Sequence, residues 1–144
     1  MVDVKQRHDI CETRITELSR DMDDGYREIK TFKEAFYAEI DRVQAEIQKI
    51  DVITRVLGDE AEKVVDSEEK YGEVINEMAR LTEQKKIHEI KISDLQKELD
   101  SRLNICFNRV EQKQIEINAL INEQKSLKEL ETNLSNQPKV LDKE

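Results

Sequence analysis

One seven-residue repeat of apolar side chains runs through almost the whole chain. Taken every seventh residue from Ile15, it reads Ile15, Met22, Ile29, Phe36, Val43, Ile50, Leu57, Val64, Tyr71, Met78, Lys85, Ile92, Leu99, Cys106, Lys113, Leu120, Leu127 and Leu134. Only Lys85 and Lys113 break the series, in a sequence that is 37% hydrophobic. Chance does not sustain such a phase, so the pattern predicts an all-α chain of long coiled-coil helices.

The second row of the repeat is less regular. Position d holds Val4, Cys11, Leu18, Gly25 and Phe32, then fails at Glu39 and Glu46, where the neighbouring position e supplies Ile40 and Ile47. It returns with Ile53, Val74, Leu81, His88 and Leu95, and fails again at Arg102, Arg109 and Glu116, where e supplies Leu103, Val110 and Ile117. Four-residue steps at Phe32-Phe36-Ile40 and Leu95-Leu99-Leu103 behave as stutters, where a supercoil locally unwinds.

Apolar residues at e, with Tyr26 and Ile75 among them, and Ala35, Val56, Ile105 and Ala119 at g, make the face wider than a dimer seam. Such width is expected of a helix that packs against two or more neighbours. A parallel homodimer would pair g with e five residues on. Opposite charges so placed are few: Arg7/Glu12, Glu28/Lys33 and Lys63/Glu68. The expected partners are therefore other coiled-coil proteins in a hetero-oligomer, a homodimer being the weaker alternative. The partner-helix interface is assigned to Phe32, Phe36, Ile40, Val43, Ile47 and Ile50 in the first half. In the second half it is assigned to Leu95, Leu99, Leu103, Val110, Ile117, Leu120 and Leu127.

Helix boundaries follow from capping chemistry. A first coiled-coil helix is expected over 4–57, with Asp23-Asp24-Gly25 a weak interruption, since one glycine costs only about 1 kcal/mol in a helix. Gly58 suits the residue just past a helix end, and Asp59 suits an N-cap with Glu62 three residues on. Gly58 and Asp59 are thus the expected hinge, 58–60 the turn, and 60–135 the second coiled-coil helix. Gln137-Pro138 closes it, and 136–144 is expected to be a disordered tail. The heptad phase nevertheless passes from Leu57 to Val64 unbroken. Two architectures stay open: one extended rod, kinked or straight at Gly58, and a two-helix hairpin folded there. In the hairpin, about 20 residues around Ile117 to Leu134 would project beyond the first helix, 1.5 Å per residue setting the overhang.

Composition narrows the function. The 144 residues are 40% charged and 4% aromatic, with three glycines, one proline and no tryptophan, so turns and a globular core are both scarce. The net charge of −9 disfavours nucleic acid and anionic membranes. It is concentrated: residues 58–78 hold two lysines against eight acids, and 2 − 8 = −6. A hairpin tip or solvated hinge tolerates that density better than an in-register dimer does. No apolar run suggests a transmembrane segment, and the first residues lack the apolar core of a signal peptide. Cys11 and Cys106 read as reduced thiols in an intracellular, cytoplasmic protein, with the nucleus as the alternative compartment.

No catalytic constellation is visible, and the chain is expected not to be an enzyme. No cofactor and no small-molecule substrate is expected either, since the glycines are isolated and form no phosphate loop. His8 and Cys11 share a helical face but are too few to hold a metal. Asp21-Met22-Asp23-Asp24-Gly25 lacks the ligand spacing of a calcium loop. Asn133-Leu134-Ser135 is a glycosylation sequon with no secretory context. Lys85, His88 and Lys113 read as polar interruptions of the seam that fix register. Asn104, Asn108, Asn118, Asn122 and Asn133 make the last third rich in amides, a feature no expected function uses.

The periodicity resembles that of coiled-coil subunits in cytoskeletal, kinetochore and vesicle-tethering assemblies, and of phage or secretion-apparatus rods. The resemblance lies in periodicity alone and implies no functional residues. It implies a structural or scaffolding subunit that lays its apolar face on partner helices. The alternative is a regulatory or chaperone-like hairpin holding a client at its free end.

Overall fold

The structure, a computed structural model, describes residues 3–135. They form two α-helices, α1 over Val4–Lys63 and α2 over Glu68–Ser135. Asp3 begins α1 with a reciprocal capping box: its Oδ1 accepts from the Gln6 backbone N–H at 2.7 Å, and Gln6 Oε1 accepts from the Asp3 N–H at 3.3 Å. The helices turn back on each other, so the chain is a hairpin and the extended rod is not formed.

The turn is Val64–Ser67, six residues beyond the expected hinge. Gly58 and Asp59 lie within α1, and no glycine among the described residues takes a positive φ. The first helix therefore does not end at 57, 58–60 is not a turn, and the second helix starts at Glu68 instead of residue 60. A glycine costs a helix about 1 kcal/mol. Continuing the apolar stripe through half-buried Leu57 to buried Ala61 recovers more than that, at about 0.8 kcal/mol per methylene buried. Ser67 supplies the stop that Gly58 does not. Its Oγ accepts from the Lys70 N–H at 3.4 Å, its carbonyl from the Tyr71 N–H at 2.8 Å, and Glu68 and Glu69 meet the positive end of the α2 dipole. The serine followed by two acids was readable in the sequence and outranked by the glycine. The acidic stretch 58–78 brackets this turn, as a hairpin tip requires.

The chain divides into two compact units, 30–103 with the turn, and residues up to 29 with those from 104 on. In the turn unit the stutters Phe32-Phe36-Ile40 and Leu95-Leu99-Leu103 lie opposite each other. Arg102 Cζ sits 5.4 Å over the Phe36 ring, and Phe36 meets Phe32 edge to face at 6.5 Å. Ile40, Val43, Ile50, Leu81 and Leu99 are buried there. The apolar row steps from d to e on each helix without leaving the seam: Ile40 and Leu99 stay buried and Leu103 half-buried.

In the other unit Cys11, Leu18, Ile29, Val110, Ile117 and Leu127 are buried. Gly25 lets α2 approach closely: a Cβ built on it would stand 2.9 Å from Val110 Cγ2. The overhang expected around Ile117 to Leu134 is covered only in part, with Leu130 43% and Leu134 53% exposed. Ile117 is 6% and Leu127 4% exposed, Arg7 reaches Glu123 at 3.7 Å, and Gln124 Nε2 donates to Glu12 at 2.7 Å. Moving the turn from 58–60 to 64–67 lengthens α1 enough to reach this end. The expected tail, 136–144, lies outside the described residues, as does Gln137-Pro138.

Gly58→Ala is expected to raise stability by about 1 kcal/mol, because Met78 Cε is 3.9 Å from the added carbon and the helix gains propensity. Gly25→Ala gains the same propensity but presses on a stiff valine, which costs about 1–3 kcal/mol, so a net loss of up to about 2 kcal/mol is expected. Urea unfolding of both variants checks the pair, and stabilisation by Gly25→Ala would refute the close approach. Ser67→Ala should cost about 1 kcal/mol in the same assay.

Candidate functional site: one seam, two flanks and an outer face poor in charge

The seam positions expected to meet foreign helices face the other helix of this chain. Ile40, Val43, Ile50, Leu99, Val110, Ile117 and Leu127 are buried in it. Phe32, Phe36, Ile47, Leu95, Leu103 and Leu120 are half-buried at its edges. The width inferred from position e has a different cause from the one expected. Ile40, Ile47, Leu103, Val110 and Ile117 are the shifted core row of a two-helix seam, while Tyr26 and Ile75 point outward. At g, Ala35, Val56, Ile105 and Ala119 are all exposed.

Charge pairing follows the antiparallel register. Arg7 pairs with Glu123, Arg14 with Glu116 at 3.3 Å, and Lys113 with Asp21 at 3.5 Å in the unit holding both helix ends. In the turn unit Lys91 pairs with Glu39 at 3.2 Å and Lys85 with Asp51 at 2.7 Å. The scarcity of parallel g–e pairs in the sequence is thus accounted for by antiparallel pairing within one chain. Exposed pairs of this kind are individually weak, so together they select register more than they stabilise.

The polar seam residues are satisfied locally. Lys85 and Lys113 lay their stems in the seam and carry their amines out to Asp51 and Asp21. The Asp51 carboxylate raises the Lys85 ammonium pKa. His88 places Nδ1 2.7 Å from the Gln84 carbonyl within its own helix. Among the described residues no buried side-chain polar atom lacks a partner. Groups of three or more His, Cys, Asp or Glu close enough to hold a metal are likewise absent among them. No helix of the described residues is long and apolar enough to cross a membrane.

The two thiols differ. Cys11 is buried in the seam, and that burial, then the Glu123 carboxylate, raises its pKa. Cys106 is half-buried, and both are free.

The outer surfaces are unlike one another. Between Asp3 and Glu28, α1 exposes 19 residues, of which 13 are charged. Between Asn104 and Asn122, α2 exposes 14, of which only Arg109, Glu111 and Glu116 are charged. The amides singled out in the sequence fall on this stretch, interleaved with exposed Phe107, Ile115 and Ile121. In the turn unit exposed Ile53 and Ile87 flank a shallow groove over Ile50 and Leu81.

Hydrogen bonds from Arg42, then Lys91, hold the Glu39 carboxyl below its ordinary range. Its contribution to stability is present above the ordinary Glu pKa and is lost as pH falls through the lowered value. Thermal unfolding between about pH 2 and pH 7 should therefore show Glu39→Gln less stable than the parent at neutral pH and equal to it in acid. A difference that persists in acid would refute this. A maleimide should label Cys106 about tenfold or more faster than Cys11, whose reaction waits on opening of the seam. No protein-family model, curated protein or solved structure matches the chain.

Proposed function

We propose that the chain is a non-enzymatic structural element, a self-paired helical hairpin that joins other helical chains into a larger assembly through its outer faces. One observation carries the reading. The two helices consume each other's seam, yet large apolar residues recur on their outer surfaces, among them Ile53, Val56, Ile87, Ile115 and Ile121. In the turn unit Ile53 and Ile87 line one groove, and apolar residues grouped on one surface mark contact sites. The carboxylates favour this reading over catalysis, because they pair with lysines and arginines along the helix surfaces instead of converging in a cleft.

The finer role is a scaffolding subunit of an intracellular assembly of the cytoskeletal, kinetochore or tethering type, with other coiled-coil proteins as partners. The two free thiols support a reducing compartment. The client-holding alternative depends on a projecting apolar end, which α1 covers as far as Leu127 and leaves exposed at Leu130 and Leu134.

The test is sedimentation of the tagged chain in native extracts of its own cells, with a photo-cross-linking residue at Ile87. A species well above twice the 17.0 kDa monomer mass, with a cross-link to another helical chain, is the expected result. Recovery of all the chain as free monomer or dimer would overturn the reading.

A further inference from the structure

The outer face of α2 from Asn104 to Lys125 carries a second three-and-four repeat, on the side away from the seam. Its wider positions are neighbouring pairs of one apolar residue and one amide: Phe107-Asn108, Gln114-Ile115 and Ile121-Asn122, seven residues apart. Asn104, Glu111, Asn118 and Lys125 fall between them. Phe107 is 45% exposed, Ile115 53% and Ile121 39%, so each keeps a large share of its surface open to solvent. Gln114 and Asn118 hydrogen-bond along the helix at 2.9 Å and can exchange that bond for one across a contact.

We propose that this face docks on the same face of a second copy of the chain, antiparallel, about a two-fold axis through Gln114-Ile115. The proposal rests on the reading of the chain as a helix-joining element and names the face and its first partner. Charge argues for a copy as the occupant. Two chains of net charge −9 repel over most of their surface, whereas of the positions that make up this face from Asn104 to Asn122 only Glu111 is charged. In the antiparallel arrangement Glu111 meets Asn118 of the other copy, whose N–H₂ donates to the carboxylate, and Asn104 meets Lys125. A parallel arrangement would set Glu111 on Glu111. Amides also suit an identical face, since each carries donor and acceptor and so complements itself. The end layers place Phe107 beside Ile121 and Asn108 beside Asn122, and the centre repeats Gln114-Ile115. An amide buried without its partner costs free energy, so the alternation favours this register over a slide by one turn. The chemistry is that of a self-recognising isologous contact.

The contact spans about six helical turns of one helix, smaller than a standard protein interface, so association is concentration-dependent. Sedimentation equilibrium on the purified full chain should show 17.0 kDa rising toward twice that value with concentration. Ile115→Glu should weaken dimerisation at least tenfold, and Ile115→Lys should weaken it similarly. Both should leave helicity and the unfolding midpoint of the dilute protein unchanged, because the residue is exposed. An equimolar mixture of Ile115→Glu and Ile115→Lys should recover association, since the axis brings position 115 against itself. Ile87→Glu, on the other unit, should change nothing. A wild-type chain that stays monomeric, a dimer indifferent to Ile115→Glu, or a mixture that fails to recover would each overturn the proposal. A monomer here that still enters a large assembly in cells would leave the structural reading standing, whereas a dimer found free in cells would overturn that reading alone.

Discussion

The antiparallel seam between α1 and α2 is the constraint on which the other features depend. Neither helix could hold its length in water alone, because helix stability in proteins comes mainly from packing an apolar stripe and little from propensity. Here each stripe is the other's cover. Once the seam is in place, the stutters must face one another, Gly25 must face Val110, and the ion pairs must follow one antiparallel register. A slide of one helix by a single turn would set Phe36 against a level that does not unwind and would break the pairs on the charged flank. Register is therefore specified several times over by weak interactions that share one geometry.

Self-pairing also reassigns the meaning of the surface. A coiled-coil sequence read alone advertises its seam as the place where partners bind. In this chain the seam is closed, which leaves the outer faces as the surface open to solvent. Those faces are not equivalent. The first turns of α1 are densely charged and well solvated. The outside of α2 from Asn104 to Asn122 carries amides and apolar residues in a repeat of its own. α2 thus carries apolar side chains on two sides, in a protein whose hydration otherwise rests on charge.

Much of this was legible in the amino-acid order. The heptad series from Ile15 to Leu134 determined long helices, the four-residue steps located both stutters, and the charge count placed an acidic tip between 58 and 78. Ser67-Glu68-Glu69 carried the true start of α2, but a cap of about 1 kcal/mol is a weak signal beside a glycine that looks like a stop. Tertiary structure decided what local signals could not. Gly58 stays helical because the stripe on either side of it is buried by α2, a gain absent from any local window. The e-position residues Ile40, Val110 and Ile117 are buried and Ile47 and Leu103 half-buried because each lies on the face that the other helix covers, a pairing between segments distant in sequence. The partner was decided by the same long-range pairing: apolar periodicity records that a face will be covered, and only the path of the chain through Val64–Ser67 determines that its own second half covers it.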